Sequence, residues 1–227
     1  MTFSIVARCP STGQIGVGAC TAMMGVGKLV SHARARVGAI ATQAFINPYY
    51  GFDGLKLLAR ERPPQEVLQE LRANDPNVDL RQVGIIDNQS RTAAWSGSQI
   101  AEWAGDMAGE HCCAQGNRLV GPETLEATLE AFLSQPGSEL ADRLLLALEA
   151  GENTGADRKG ARSANITVFD TEDYPLWDMR VDYARDPVKS LRKLHRKFSR
   201  ALIPNVRKLP TRAEPAGQLT SSDESLG

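Results

Sequence analysis

The chain has 227 residues, 42 % of them hydrophobic and 23 % charged, with a net charge of −1. This is the composition of a globular domain with room for a substantial core, and it offers no electrostatic footprint for nucleic acid or an anionic membrane. No apolar run approaches the roughly 18 residues that a membrane-spanning helix needs.

Met1 is followed at once by the β-prone run Thr2-Phe3-Ser4-Ile5-Val6-Ala7. A secretory leader would show a basic start, an apolar stretch and a small-residue cleavage site, so a cytoplasmic location is expected. Residues 2–8 and 15–21 read as two strands joined by the turn-rich segment 9–14, a hairpin with a long loop. Residues 37–46 form a further strand, rich in the small residues Gly38, Ala39, Ala41 and Ala44. A helix is expected over 51–61, and a second after Pro63-Pro64 with Val67, Leu68 and Leu71 on one face. Asp75-Pro76-Asn77 ends it. Strands at 82–86 and 92–95 flank a turn at 87–90, and 108–115 reads as another strand.

A second helical pair follows. Pro122 is placed as its first helical residue, with Leu125, Leu129, Phe132 and Leu133 on one face. Ser138 is read as the cap of the next helix, Leu140 to Leu148, and Gly151 as its stop. Residues 152–161 read as a polar loop. Strands at 166–169 and 176–181 precede a final helix from Asp186-Pro187 to about Leu202. Its basic face, Lys189 to Arg200, is expected to be solvated. Hairpins join the strands and the helices come in pairs. The fold class predicted is α+β, two mainly antiparallel sheets in a four-layer αββα sandwich. One domain over 1–204 and a disordered tail over 205–227 are expected.

The four cysteines, Cys9, Cys20, Cys112 and Cys113, show neither CxxC nor metal-ligand spacing and are expected to be packed thiols. His32, His111 and His195 lack HxH or HExxH spacing and are read as structural. No metal or organic cofactor is expected.

The chemistry centres on Thr2. Removal of Met1, which a side chain as small as threonine's permits, makes Thr2 the N-terminus at the start of a strand. A threonine hydroxyl can then use its own α-amine as general base, because that amine titrates at about 7.7–8.0. The alternative is that Thr2 merely opens a strand. Gln43 and Asn47, at or beyond a strand end, either orient a substrate amide or satisfy a turn. Asn117, beside Gly116, is either an oxyanion donor or a left-handed turn residue. Asp157 and Arg158 either clamp a substrate or form a loop ion pair.

Six blocks carry a resemblance. They are Thr2-Phe3-Ser4-Ile5-Val6-Ala7-Arg8 with Thr12-Gly13 and Gly16-Val17; Gly38 to Ala44 with Asn47-Pro48 and Tyr50-Gly51; and Gln82 to Asp87. The others are Gln115-Gly116-Asn117 with Gly121-Pro122; Asp157-Arg158-Lys159-Gly160; and Arg180-Val181-Asp182 with Asp186-Pro187-Val188. In this order the chain resembles the bacterial family called domain of unknown function 1028, from residue 2 to about 195. The resemblance implies an N-terminal-nucleophile hydrolase-like fold and supports fold better than substrate. Two positions depart from it. Cys9 stands where the family usually has an acidic residue, and Ala22 where many members have Lys, Arg or His. A lysine assisting the nucleophile would then have to be replaced by Lys28, by Arg8, or by nothing. The segment 20–24 is the expected seat of altered substrate choice.

The function expected is cleavage of a C–N bond in a small or peptide-like amide by Thr2, in a homo-oligomer that binds neither nucleic acid nor membrane. The rival is a non-catalytic binding or assembly protein on the same fold, whose signature is a retained Met1.

Overall fold

Strands β1 (Thr2–Arg8) and β2 (Ile15–Thr21) form the expected hairpin, in register from Thr2↔Thr21 to Arg8↔Ile15. Its loop closes with Cys9 N donating to Gln14 O at 2.8 Å, and Gly13 takes the positive φ of 78° that the turn requires. The computed structural model describes residues 1–156 and 160–219.

After the hairpin come α1 (Val26–Leu29), β3 (Ser31–Arg34), β4 (Gly38–Ala44), α2 (Tyr49–Leu58) and α3 (Pro64–Ala73). Strands β5 (Arg81–Asp87), β6 (Thr92–Ser96), β7 (Trp103–Gly109) and β8 (Cys112–Leu119) follow, then α4 (Glu123–Leu133) and α5 (Leu140–Asn153). The chain closes through β9 (Ser163–Phe169), β10 (Trp177–Val181), α6 (Pro187–Lys197), a π turn over 198–202 and α7 (Ile203–Val206). No helix among the described residues is long and apolar enough to cross a membrane.

The strands form a six-stranded sheet, β10-β9-β2-β1-β8-β7, and a four-stranded sheet, β3-β4-β5-β6, with antiparallel pairing throughout. Alternation along each strand then assigns the layers. Phe3, Ile5 and Ala7 of β1 pack with Leu125, Phe132, Leu144, Leu148 and Leu191 under α4, α5 and α6. Ile40 and Ile85 pack with Leu57, Leu58, Val67 and Leu68 under α2 and α3. Val6, Val17 and Ala19 meet Ala39, Ala41 and Ile86 between the sheets. The result is the αββα sandwich.

The departures from expectation have local causes. Strand β3, Ser-His-Ala-Arg, is a half-exposed edge with no apolar alternation to announce it. The predicted strand at 108–115 is two strands interrupted by a hairpin turn: β7 ends at Gly109, His111 takes φ 59°, and β8 begins at Cys112. Pro122 precedes α4, and Glu139 takes the position in front of α5 given to Ser138, whose hydroxyl donates to Gln135 Oε1 at 3.3 Å. On α6, Val188, Leu191 and His195 are buried while Lys189, Lys193, Arg196 and Lys197 face outward, as the amphipathic pattern predicts. Beyond α7 the chain runs in turns across Tyr174, whose hydroxyl donates to Pro210 O at 3.0 Å; residues 220–227 lie outside the described residues.

Gly151 does not stop α5 but lies within it, where its bare Cα meets the β1 core. A Cβ there would stand 2.5 Å from Thr128 Oγ1 and 2.6 Å from the Phe3 ring. Gly151→Ala gains about 1 kcal/mol of helix propensity against an overpacking cost of about 1–3 kcal/mol. It is expected to lower the urea midpoint, and a midpoint raised by the substitution would overturn the close-packing account.

Candidate functional site

The space between the sheets changes character along the strands. At the Arg8 end it is apolar, whereas at the Thr2 end the same alternating positions carry Thr2 and Ser4 on β1, Thr21 on β2, Gln115 and Asn117 on β8, Gln43 on β4 and Gln82 on β5. Thr2 sits mid-sheet, paired with Thr21 on one side and Asn117 on the other. Its Oγ1 lies 2.9 Å from Thr21 Oγ1, and the Thr21 hydroxyl donates to Met1 O at 2.7 Å. Ala22 N also donates to Met1 O, at 3.3 Å. Beyond Thr21, whose carbonyl accepts from Arg162 N at 2.7 Å, a recess of about 500 Å³ runs along Arg162, Tyr183 and Arg185.

Behind Thr2 the two sheets are stitched by amides. Ser4 donates to Gln43 Oε1 at 2.6 Å and accepts from Gln115 Nε2 at 2.6 Å. Gln43 Nε2 reaches Gln82 Oε1 at 2.8 Å, Gln115 O at 3.3 Å and Thr2 O at 3.4 Å. Gln82 Oε1 also accepts from Asn117 Nδ2 at 2.9 Å, while its Nε2 donates to Gly116 O at 2.7 Å and Ser96 Oγ at 2.9 Å. Ser96 in turn donates to Asp106 at 2.7 Å, near the surface. Ser4, Gln43, Gln82 and Gln115 are fully buried. The network fits because Gly84 has no side chain: a Cβ there would stand 1.9 Å from Gln115 Oε1.

This arrangement reassigns the expected residues. Gln43 lies beside Thr2 but is turned inward, where it grips the Thr2 backbone. Asn117 is a buried strand residue, not a turn residue; the left-handed conformation falls on Arg118, at φ 54°. Asn47 does not join them. It lies on the helix side of the four-stranded sheet, in a cleft of about 610 Å³ between α2 and α3. There its Nδ2 reaches Asp75 Oδ2 at 3.4 Å and its Oδ1 accepts from Tyr49 N at 3.1 Å. Asp75 is paired with Arg81 at 2.8 Å. Hydrogen bonding from the Arg81 guanidinium holds the Asp75 carboxyl well below the usual carboxylate range. Asp157 and Arg158 lie outside the described residues.

Neither stand-in for the missing lysine reaches Thr2 in the described contacts. Arg8 is at the far end of β1, bonded to Asn88 and Ser90, and Lys28 is exposed on α1. Thr2 has no hydrogen bond or ion pair to a charged side chain among the described residues. All four cysteines are free and buried, and burial pushes the Cys112 thiol up to about 12. His195 stacks on Trp177 at 4.8 Å, His32 meets the edge of Phe52, and His111 faces Glu110 at 3.5 Å. No group of three or more His, Cys, Asp or Glu converges among the described residues.

Sequence reasoning missed Ser4, Gln82 and Gln115, and reached Thr21 only as part of the segment 20–24. The available signal was a polar or small residue at i and i+2 in otherwise apolar strands: Thr2/Ser4, Gln82/Gly84 and Gln115/Asn117.

Residues 2–191 match the family described as "Family of unknown function (DUF1028)". The fold is similar to the crystal structure of protein SPO2555 from Silicibacter pomeroyi, itself assigned to DUF1028. That likeness has 29 % identity and a TM-score of 0.89, and covers 96 % of each chain. A much more distant likeness, to Anbu (ancestral beta-subunit) from Yersinia bercovieri, has 12 % identity and a TM-score of 0.40, and covers 92 % of this chain and 98 % of that one. None of the curated proteins matches the chain.

Two outcomes are expected. Gln82→Leu leaves Asn117, Gln43 and Gly116 O without their partner, at about 1–3 kcal/mol for each group left unpaired, so the urea midpoint falls well below that of the unaltered protein. An unchanged midpoint would show that the amides do not hold the sheets together. Asp75 has a depressed folded pKa, so its contribution is present above the unfolded value of about 3.9 and is lost as pH falls below it. Asp75→Asn should therefore lower stability at pH 7 and flatten the acid decline below about pH 4, as measured by urea titrations across that range.

Proposed function

The chain belongs to the DUF1028 family, whose function is unknown, and we propose that it is an amide hydrolase whose nucleophile is Thr2 once Met1 has been removed. The observation that carries this reading is the seat of Thr2. A hydroxyl one residue from the chain start is fixed mid-sheet by two neighbouring strands, 2.9 Å from a second hydroxyl. A rigid strand is the support that a precisely oriented nucleophile needs.

In this mechanism the free α-amine of Thr2 takes the hydroxyl proton as Oγ1 bonds to the substrate carbonyl carbon. It then passes the proton to the leaving nitrogen as the C–N bond breaks. Water hydrolyses the resulting ester and restores the hydroxyl. Among the described residues no charged side chain is bonded to Thr2, which supports the amine as the base. Gln43 acts by holding the Thr2 carbonyl rather than by touching substrate, and Asn117 by flanking Thr2 in the sheet. The reaction draws on no cofactor. The substrate is a small or peptide-like amide. A homo-oligomer belongs to the same proposal, supported by exposed large apolar side chains such as Met23, Met24 and Phe45 on the loops after Thr21 and Gln43.

Intact-mass measurement of the purified protein tests the premise: loss of Met1 is expected, and a retained Met1 favours the non-catalytic reading. With Met1 gone, cleavage of acyl 4-nitroanilides should be abolished in Thr2→Ala and kept in Thr2→Ser. The rate should rise with pH and level off above about 8, because the neutral amine is the active form. A rate already flat from pH 6 would exclude the amine as base.

A further inference from the structure

The unprocessed N-terminus has its own seat at the head of β1. Met1 is half-buried, and its side chain packs against the apolar core beneath the six-stranded sheet. Its carbonyl oxygen accepts two hydrogen bonds, from the Thr21 hydroxyl at 2.7 Å and from Ala22 N at 3.3 Å. The same Thr21 hydroxyl lies 2.9 Å from Thr2 Oγ1. An acyl group at the N-terminal side of Thr2 thus has its oxygen under two donors and its side chain against an apolar wall.

We propose that this is the acyl site of the enzyme, which Met1 occupies as a built-in stand-in for substrate, with Thr21 and the Ala22 amide as the oxyanion donors. The inference rests on Thr2 being the nucleophile. The Met1 carbonyl carbon is bonded to Thr2 N at about 1.33 Å. A substrate carbonyl carbon under attack by Thr2 Oγ1 is tethered to the same residue through its hydroxyl, one short side chain away. Both carbons are thus attached to atoms of the same residue, and the Thr21 hydroxyl, within hydrogen-bond reach of the Met1 carbonyl and of Thr2 Oγ1 alike, is placed to donate to the oxygen of either. Once Met1 is gone, that hydroxyl no longer donates to the Met1 carbonyl, and from its place 2.9 Å from Thr2 Oγ1 it can turn to the oxygen on which negative charge develops.

The assignment explains two features. Position 22 contributes its backbone N–H, so an alanine there serves as well as a charged residue would. Asn117, with one N–H committed to Gln82, is not needed for the oxyanion. It also names the substrate class: amides whose acyl part is apolar and about the size of a methionyl group, because that is what the seat already holds. Short or anionic acyl groups leave the apolar wall uncovered or bring a charge against it.

The test uses the full-length protein with Met1 removed and a series of 4-nitroanilides bearing acetyl, hexanoyl, methionyl and succinyl groups. Hexanoyl and methionyl anilides should be cleaved at least tenfold faster, as kcat/KM, than acetyl and succinyl. Thr21→Val, which removes the hydroxyl at nearly constant volume, should lower kcat by about 10²–10³-fold with KM little changed, the loss typical of a single oxyanion donor. Thr21→Ser should restore kcat to within about tenfold, since it returns the donor; it also controls for misfolding. Cleavage that depends on Thr2 but ignores both acyl chain and the Thr21 hydroxyl would overturn this assignment and leave the nucleophile standing. No cleavage of any anilide by the processed protein would overturn both.

Discussion

The structure depends on a buried layer of uncharged amides between two sheets. Gln82 is its hub. One carbonyl oxygen accepts from Gln43 on the neighbouring strand and from Asn117 on the facing sheet, while its nitrogen holds the Gly116 carbonyl. Buried amides are costly when unpaired, so each partner constrains the others. The layer therefore fixes the register of β8 and β1 against β4 and β5 more tightly than the apolar contacts at the Arg8 end could. Hydrophobic contacts are nondirectional; amide contacts are not. Thr2 inherits this constraint because Gln43, at the centre of the network, also reaches its carbonyl.

A charged layer would have been a different device. A lysine or carboxylate in this space would need a partner and would pay for desolvation. Here the path from Gln115 through Ser4, Gln43 and Gln82 to Ser96 stays neutral until Asp106 near the surface. The layer can orient groups but has no proton to exchange near neutral pH. In the proposed mechanism the proton chemistry at Thr2 is therefore given to its own α-amine, and that ties it to the removal of Met1. The departures at Cys9 and Ala22 carry less weight in this light. Cys9 follows the far end of β1, and Ala22 presents its backbone to the Met1 carbonyl.

The fold was legible in the sequence wherever alternation or helical periodicity was strong. The first hairpin, the two helical pairs and the basic α6 all announced themselves. Strands β3 and β7 did not, since edge strands need bury only part of one face and can be built from Ser-His-Ala-Arg or from glycine-rich runs. Gly151 misled for a related reason: its composition signals a helix end, but its lack of a side chain serves the packing of Phe3. For the site, Thr2, Gln43 and Asn117 were singled out in the sequence and are neighbours in the structure, but Ser4, Gln82 and Gln115 were not, and side-chain direction was not legible. Gln43 and Asn47 are four residues apart, yet one faces the inter-sheet layer and the other the α2–α3 cleft. Between them the backbone takes a left-handed turn at Ala44, φ 67°, which no local pattern predicts for alanine.

That turn lies where the inter-sheet layer and the outer cleft meet. A non-glycine residue at positive φ costs on the order of 1 kcal/mol or more, and it persists only where its surroundings fix it. Ala44 is held on one side by Gln43, locked in the amide layer, and on the other by Phe45, whose carbonyl accepts from Arg81 and whose N–H donates to Leu80 O at 3.1 Å. Arg81 and Gln82 are neighbours on β5 that point to opposite faces of the sheet. One strand therefore anchors the Asp75–Arg81 pair in the outer cleft and the amide hub inside. The strained residue marks where the outer ion pair and the inner amide layer bear on the same stretch of chain, one residue after the side chain that grips Thr2.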